Sequence, residues 1–361
     1  MSIYYMINSI KTSLKKISCI FGKFQFSRGS EGYDNIQPWL VKSMFPKHSF
    51  GVIYGKSGSR KSFIAIDISC SIATGSKWQN RNTQAGAVVY VASEGQIGMS
   101  RRVRAWEIVN NKNVEHLYIL GQSVLMSDEL TRNDLIDSIN KIEIENNVKV
   151  ELIVLDTLAR NFEGDENSSD AMGKFIRGCD FVKEVTDSSI LCIHHSGKDT
   201  SKGGRGSSAL VGACDVEFQV THDTKTGFTT LSNTKQKDAC AAPDLVFEFK
   251  PIDLGFTCEE GEPVTSLALL ANAKLRVDTT WNDDVVLKGL NERFDGCSTR
   301  AELRSIFPVP EGIKPKSVSK NFSRKIDALV EAGKITVKQK GDKASPTDII
   351  TAVKQHEFSD F

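Results

Sequence analysis

The residues best placed to do chemistry in this sequence stand in one short loop, Gly55 to Phe63. The loop follows an apolar run, Phe50 to Tyr54, and has the length, leading glycine and closing Lys-Ser of the pattern G-x-x-x-x-G-K-[ST]. In that pattern, backbone N–H groups at a helix N-terminus hold phosphate, the lysine neutralises its charge and the hydroxyl binds Mg²⁺. The predicted phosphate-binding residues are Gly55, Lys56, Ser57, Gly58, Ser59, Arg60, Lys61, Ser62 and Phe63.

One position of this loop departs from the pattern. Arg60 stands where the pattern has glycine, so a side chain occupies a point where bare backbone normally approaches phosphate. The arginine either points outward without effect or folds over a bound nucleotide as an additional cation. Binding is therefore a firmer expectation than hydrolysis, and a glycine- and serine-rich turn without a ligand is the remaining alternative.

Two further apolar runs lead to acids. Val150 to Leu155 precedes Asp156, and Ala87 to Ala92 leads to Glu94. Because the carboxyl ends of parallel strands meet at one edge of a sheet, we expect both acids beside the phosphate-binding loop. Asp156 is predicted to orient the Mg²⁺ shell through water, with Thr157 as a neighbouring polar ligand, and Glu94 to act as the general base. The alternatives are a turn residue for Asp156 and a helix N-terminal acid for Glu94.

A pair of histidines follows another apolar run, Ser189 to Ile193. This strand is expected to end at the same edge, so either His194 or His195 is predicted to contact the γ-phosphate. The pair could instead indicate a metal site, but no third ligand stands at a suitable spacing.

Two later segments carry cations that are predicted to face outward. Asp199 to Ser208 is polar, basic and glycine-rich, which is typical of an exposed loop. Lys235 and Lys237 fall on one face of an extended chain. Such cations are what a neighbouring subunit uses to stabilise transition-state charge, and a flexible surface loop is the alternative for Asp199 to Ser208.

The elements that must position these residues alternate between strands and helices. Short, bounded apolar runs separated by helical lengths predict an α/β fold with a mainly parallel, buried central sheet. After Asp215 the sequence predicts an antiparallel edge of three strands, Val216 to Val220, Phe228 to Ser232 and Leu245 to Pro251. The remainder reads as helix, helix, basic helix and two short strands, an order that suits a small C-terminal winged-helix-like domain.

Composition narrows the class of protein. With 361 residues, 40% of them hydrophobic and a net charge of +1, the chain is typical of a globular protein, and no run approaches the roughly 20 apolar residues of a membrane-spanning helix. Eight cysteines without a C-x-x-C pair favour reduced thiols and a cytoplasmic location over a zinc site or a disulfide framework. For the basic first 30 residues, a transit peptide or a membrane-surface helix is the alternative to a loosely docked extension.

Taken in order, the motifs resemble the RepA-type hexameric replicative helicases of plasmids and phages, which are AAA-type P-loop ATPases with a RecA/DnaB-like core. The resemblance spans Trp39 to Lys250. It rests on QPWLVK from Gln37, GKSGSRKSF from Gly55, VVYVASEG ending at Gly95, VLDTLAR from Val154, IHHSGK from Ile193, RGSSAL from Arg205 and NTKQKD from Asn233. With it, the expected domains are a basic extension or linker at 1–36, a RecA-like P-loop ATPase core at 37–272 and a winged-helix-like domain at 281–355.

The resemblance also implies a role for each matching residue. It implies that one histidine of the pair senses the γ-phosphate, that Arg205 is an arginine finger reaching the adjacent protomer, and that Lys235 and Lys237 occupy a second finger position. The predicted catalytic residues are Lys61, Glu94, Asp156, His194, His195, Arg205, Lys235 and Lys237, and the predicted metal ligands are Ser62 and Asp156.

The leading functional hypothesis is an ATP-driven DNA motor. The resemblance implies ATP and Mg²⁺ as cofactors, a ring of identical subunits, commonly a hexamer, and single-stranded DNA drawn through its centre, with no membrane partner. The basic third helix near the C-terminus and the hairpin after it have the charge for phosphate contacts, although a solvated amphipathic helix with Phe322, Ile326 and Leu329 inward is the alternative. The basic residues are Lys316, Lys320, Arg324, Lys325, Lys334, Lys338, Lys340 and Lys343. The competing hypothesis is a nucleotide-gated DNA-binding regulator, or a DNA-repair or recombination ATPase with weak hydrolysis.

Overall fold

The structure is a computed structural model that describes residues 19–21, 24–93, 96–197, 204–270, 274–275, 283–294, 296–305, 315–339, 341 and 344–353. The helices are α1 (Lys61–Ala73), α2 (Gln96–Asn110), α3 (Glu129–Asn146), α4 (Ser169–Thr186), α5 (Ser208–Ala213), α6 (Asp283–Phe294), α7 (Arg300–Ser305) and α8 (Pro315–Glu331). The first nine strands are β1 (Cys19–Phe21), β2 (Phe24–Phe26), β3 (Trp39–Val41), β4 (Phe45–Pro46), β5 (Phe50–Gly55), β6 (Ala87–Ala92), β7 (Leu117–Leu120), β8 (Val150–Asp156) and β9 (Ser189–His195). The later strands are β10 (Val216–His222), β11 (Thr229–Gln236), β12 (Leu245–Phe247), β13 (Phe249–Thr257), β14 (Pro263–Leu269), β15 (Lys274–Leu275), β16 (Cys297–Thr299), β17 (Ile335–Lys338) and β18 (Ile349–Ala352).

A nine-stranded sheet forms the centre of the molecule. Its order is β15, β12, β11, β10, β5, β9, β8, β6, β7. The ladders from β10 to β7 are parallel, and those from β10 to β15 are antiparallel. The α/β class, the mainly parallel sheet and the antiparallel extension after Asp215 are therefore confirmed.

Helices cover both faces of this sheet because its strands are apolar on both sides. Every residue of β5, β6 and β8 is buried, as expected for parallel strands between two helical layers. One face packs against α1 and α2, and the other against α3, α4 and α5. Gly178 allows α4 to approach closely, since a Cβ atom there would collide with the carbonyl oxygen of Met126.

The region after β11 differs from the sequence expectation. The predicted single strand Leu245 to Pro251 is wrong, because the chain changes sheets at Glu248. β12 extends the central sheet, whereas β13 pairs with β14 in a separate hairpin. Apolar side chains of this hairpin pack against α2, where Leu254 and Ala268 contact Ala105. The hairpin therefore covers an outer surface of α2. The alternation of polar and apolar residues along one strand could not predict this contact.

The C-terminal elements have their own apolar core. Their order is α6, β16, α7, α8, β17, β18, and β18 lies between β16 and β17 in the sheet. Phe322, Ile326 and Leu329 of α8 are buried there, on the side that their spacing predicts. A reciprocal cap starts α7, since Glu302 accepts the Thr299 N–H at 2.9 Å while the Thr299 hydroxyl oxygen accepts the Glu302 N–H at 3.2 Å.

Several expected features fall outside the described residues. Most of the N-terminal extension does so, although β1 and β2 form a short antiparallel ladder within it. The side chains of Lys316 and Lys320, and all of Lys340 and Lys343, also lie outside. Within the described part of the chain, none of the helices is both long and apolar enough to cross a lipid bilayer.

Candidate nucleotide-binding site

The predicted phosphate-binding loop joins β5 to α1 at what we call the carboxyl edge of the sheet, where β5, β8 and β9 end at Gly55, Asp156 and His195. Gly55 is required by close packing, because a Cβ atom there would collide with the carbonyl oxygen of Val220 and crowd the hydroxyl of Ser59. Helix α1 begins at the end of the loop, so its free N–H groups and dipole favour an anion there.

Lys61 is folded back onto this loop. Its side-chain Nζ donates hydrogen bonds to the carbonyl oxygens of Gly55 at 2.9 Å and Lys56 at 2.8 Å. The residue is only 5% exposed. Burial lowers the pKa of the Lys61 ammonium to about 8, and the nearby Asp156 carboxylate opposes part of that shift. An incoming phosphate would replace neutral carbonyl oxygens with full negative charge.

Arg60 takes up a conformation that glycine prefers. Its φ is 73° and its ψ 21°, in the left-handed region, and it stands directly before α1. The guanidinium lies 5.1 Å from the centre of the Phe249 ring and donates to the carbonyl oxygen of Gly227 at 3.3 Å. The Arg60 side chain, at the wall of the cleft beside this loop, is thus directed to Phe249 and Gly227. Arg60 therefore takes the place of the usual glycine with its backbone in the left-handed conformation.

Asp156 ends β8 beside this loop. Its side-chain Oδ2 accepts a 2.7 Å hydrogen bond from the hydroxyl of Tyr90 in β6. Ala92 is paired with Asp156 in the β6–β8 ladder, so Tyr90 and Asp156 face the same side of neighbouring strands. That side carries α1, which explains why Asp156 and the loop meet.

One cleft joins these groups. It has a volume of about 230 Å³ and is lined by Ser57, Gly58, Arg60, Lys61, Ser62, Phe63, Arg102, Asp156, Thr157, Ile193 and His195. Lys61, Ser62 and Asp156 therefore meet as the sequence predicts. Gly55 and Ser59 support the loop from behind, and Lys56 is exposed beside it.

The donor set of this cleft fits a hydrated Mg²⁺ held together with phosphate. A serine hydroxyl and a carboxylate are hard oxygen ligands of the kind Mg²⁺ prefers. The buried Thr157 hydroxyl in the same cleft has no hydrogen-bond partner among the described residues, so it can accept or donate to a metal-bound water. Within those residues, no group of three or more His, Cys, Asp and Glu side chains could hold a metal on its own.

The structure describes the two remaining predicted catalytic groups to different extents. Glu94 lies outside the described residues, so its role stays a prediction, although β6 ends at Ala92 beside Asp156.

The two histidines of the predicted pair point to opposite faces of the sheet, because side chains alternate along β9. His195 faces the cleft, while His194 is buried on the opposite face and donates from Nε2 to the carbonyl oxygen of Arg205 at 2.6 Å. Burial lowers the pKa of the His194 imidazole.

Arg205 is held by a carboxylate of its own chain. Its Nε and Nη2 atoms each lie 2.8 Å from Oε2 of Glu166, which is 8% exposed. The hydrogen bond with Glu166 raises the pKa of the Arg205 guanidinium. The Arg205 side chain is 58% exposed. The predicted finger is thus oriented by a buried partner while much of its surface faces outward.

Lys235 and Lys237 lie far from the cleft of their own chain. β11 runs antiparallel to β10, so Gln236 pairs with Val216 at the opposite end of the sheet, which we call the amino edge. At roughly 3.3 Å per residue, the length of β5 separates the two edges by about 16 Å. Lys235 donates to the carbonyl oxygens of Val211 and Gly212 at the end of α5, and Lys237 pairs with Asp215 at 3.3 Å.

Four side chains at or near this site could not be predicted from the sequence. Tyr90 sits inside an apolar run, Arg102 in a helix of ordinary composition, Phe249 in a strand assigned to another sheet, and Glu166 in a polar loop. Only Tyr90 carries a local signal, because a hydroxyl in a wholly buried strand must find a hydrogen-bond partner.

Comparisons with known proteins identify the family of this chain. The family described as the AAA domain matches residues 21–201, half of the chain. None of the curated proteins matches the sequence. A solved structure described as an ATPase domain is 11% identical with a TM-score of 0.44, covering 56% of this chain and 82% of its own. The crystal structure of the RadB recombinase is 15% identical with a TM-score of 0.41, covering 56% and 88%. Because this match spans half of the chain and includes both the phosphate-binding loop and Asp156, the chain belongs to the AAA domain family, and its core is that of a P-loop ATPase.

Proposed function

We propose that this ATPase is a DNA motor of the RepA/DnaB-like type, which binds and hydrolyses Mg-ATP between the subunits of a ring and acts in plasmid or phage replication. The observation that carries the proposal is the meeting of Lys61, Ser62, Asp156 and His195 in one cleft at the carboxyl edge. Those four side chains supply a phosphate cation, a metal hydroxyl, a metal-orienting acid and a γ-phosphate contact.

Each residue acts on charge or on a proton. Lys61 would exchange its carbonyl partners for β- and γ-phosphate oxygens, and the Ser62 hydroxyl and Asp156 carboxylate would hold the metal and its water. Bound Mg²⁺ neutralises charge on the transferring phosphate. Glu94 would orient and deprotonate the attacking water, and His195, at the end of β9, would contact the γ-phosphate.

The placement of the predicted fingers supports action between subunits. Lys235 and Lys237 lie about 16 Å from the cleft of their own chain, beyond the reach of a lysine side chain. Arg205 is exposed and turned toward Glu166. Cations in these positions can contact a nucleotide phosphate only if the nucleotide is bound to another subunit. A ring of identical subunits supplies arginine and lysine fingers to its neighbours in this way.

The C-terminal elements at 281–355 would provide a second contact with DNA. Arg324 on α8 is exposed, as is Lys338 at the end of β17. In a winged helix, the third helix and the following hairpin are the parts that approach the phosphate backbone. We expect this surface to add affinity that weakens as salt is raised, because phosphate contacts release counterions.

One experiment tests the motor directly. ATP turnover would be measured alone, with single-stranded DNA and with duplex DNA, alongside the mass of the assembly with nucleotide. We expect single-stranded DNA to raise the rate at least tenfold and nucleotide to produce a closed oligomer, a hexamer. A rate indifferent to DNA in a particle that stays monomeric would contradict the proposal.

A second function is favoured by Arg60. A nucleotide-gated, duplex-binding regulator would need tight ATP binding with slow turnover, and an arginine in the loop at φ 73° is a departure that could slow hydrolysis. The same assay separates the two functions. Slow, unstimulated turnover by a dimer that prefers duplex DNA would support the regulator over the motor.

A further inference from the structure

Tyr90 is a polar residue in the middle of the wholly buried strand β6. It is 0% exposed, and its hydroxyl donates to Oδ2 of Asp156 at 2.7 Å. Asp156 is itself only 7% exposed and faces the cleft that holds Lys61 and Ser62. The phenol therefore reaches the predicted metal-orienting acid from inside the protein, on the side away from solvent.

The chemistry of this contact is that of a permanent donor. Burial raises the pKa of the Tyr90 phenol well above its usual value, and the nearby Asp156 carboxylate raises it further. The hydroxyl is the donor of this hydrogen bond and the Asp156 carboxylate oxygen is the acceptor. A hydrogen bond to a carboxylate is short and directional, so it fixes the orientation of the acceptor.

The nearby cations are engaged elsewhere in the described structure. Lys61 donates to the carbonyl oxygens of its own loop. The Arg102 guanidinium lies 4.5 Å from the centre of the Phe63 ring and donates to Sδ of Met99 at 3.3 Å. Among the side chains that the structure describes, Tyr90 is therefore the one that hydrogen-bonds the Asp156 carboxylate.

We propose that Tyr90 is the positioning residue for Asp156, holding Oδ2 so that Oδ1 is presented to the water shell of Mg²⁺. This inference rests on the proposed function, since it assigns Asp156 to the metal. Tyr90 touches neither nucleotide nor metal and acts only through the carboxylate. Its loss should appear in the dependence of the reaction on Mg²⁺ and leave metal-free nucleotide binding unchanged.

The test uses Tyr90→Phe in the full chain, with Tyr54→Phe as the matched control. Tyr54 is also buried in a parallel strand, at 4% exposure, but it faces the opposite side of the sheet. ATP turnover would be titrated with free Mg²⁺, and the affinity for a fluorescent ATP analogue would be measured with Mg²⁺ and with a chelator. For Tyr90→Phe we expect the half-maximal Mg²⁺ concentration to rise about tenfold, with the chelated affinity unchanged within twofold. Tyr54→Phe should follow the wild-type titration.

A double-mutant cycle with Asp156→Asn provides a second test of the inference, which is needed if Tyr90→Phe is poorly stable. The Mg²⁺-dependent gain in nucleotide affinity would be compared in the wild type, both single variants and the double variant. Once Asp156 is changed, loss of the Tyr90 hydroxyl should have no further effect on that gain. A wild-type Mg²⁺ titration for Tyr90→Phe, or fully additive losses in the cycle, would overturn the inference. Absence of Mg²⁺-dependent nucleotide binding in the wild type would instead overturn the proposed function.

Discussion

The two edges of the central sheet treat their positive charges differently. At the amino edge, Lys237 is paired with Asp215 at 3.3 Å and Lys47 with Glu151 at 3.1 Å, while Lys235 donates to carbonyl oxygens. In the cleft at the carboxyl edge, the described contacts of Lys61 and Arg60 are neutral, whereas Arg205, which does not line the cleft, is paired with Glu166. Lys61 donates to carbonyl oxygens, and Arg60 lies over the ring of Phe249.

Under the proposed function, this difference accounts for phosphate binding at the carboxyl edge. An ion pair at the amino edge cancels most of its own field and contributes mainly to local structure. Cations that contact carbonyl oxygens and aromatic rings keep their net charge, and a cleft with low-dielectric walls concentrates their field on an incoming anion. Lys237 would act on phosphate only by leaving Asp215, which a neighbouring subunit's nucleotide could induce.

Replacing Lys61 should have the largest effect on this contrast. Lys61→Ala removes the charge that neutralises the β- and γ-phosphates, so we expect ATP turnover to fall at least about 10³-fold, roughly 4 kcal/mol in transition-state stabilisation. A steady-state phosphate-release assay would measure it. Lys174→Ala is the control, because its exposed pair with Asp170 lies on α4, which covers the face of the sheet opposite α1, and is worth little energy. Turnover that survives in Lys61→Ala would mean that phosphate binds elsewhere.

Replacing Lys237 should separate the two edges by subunit. We expect Lys237→Ala to bind nucleotide normally but to lose about 10²-fold in turnover, and only in the assembled protein, because in the proposed ring its cation serves a neighbouring cleft. Lys183→Ala, which removes a nearby lysine paired with Asp180, should keep full turnover.

Mixing the two inactive variants gives the decisive readout. In a mixed assembly, a Lys61 from one chain can meet a Lys237 from the next, so part of the turnover should return. An assembly of Lys61→Ala and Lys237→Ala chains that stays inactive at every ratio would show that Lys237 does not act between subunits.

The sequence is informative where the determining interactions are local. The loop from Gly55 to Ser62 and the strand from Ala87 to Ala92 are encoded in consecutive residues, and the strand bounds match the structure. Asp156 could be placed beside the loop because parallel strands ending at one edge bring their last residues together. These inferences need only the order of strands and helices.

The rest depends on the register between strands distant in sequence. Choosing His195 over His194 requires knowing which face of β9 carries α1, and finding Tyr90 requires the pairing of β6 with β8. The change from one sheet to another at Glu248 depends on the apolar surface of α2 against which the β13–β14 hairpin packs. No run of neighbouring residues records those facts, which is why the sequence predicts where the cleft lies better than it predicts how its acid is held.

The carboxyl edge should also respond to pH through Lys61. Because burial lowers the pKa of Lys61 to about 8, the free protein loses this charge as pH rises through 8, whereas bound phosphate favours the protonated form. Metal-free nucleotide affinity should therefore fall about tenfold between pH 7 and pH 9, as the protonated fraction falls. Fluorescent-nucleotide titrations would measure it. Lys237→Ala should show the same dependence, and Lys61→Arg, which stays charged, should show much less.

The smallest expected effect concerns the strain at Arg60. Arg60→Gly and Arg60→Ala both lose the contacts with Phe249 and Gly227, so their difference isolates the backbone at φ 73°. Only glycine adopts that conformation without penalty, but it also loses more entropy on folding. Since the steric cost for alanine is about 1 to 2 kcal/mol, we expect Arg60→Gly to be the more stable of the two by about 1 kcal/mol in urea unfolding. An alanine variant as stable as the glycine variant would mean that the loop relaxes to negative φ, and that the carboxyl edge differs from the amino edge in its charges without storing backbone strain at this residue.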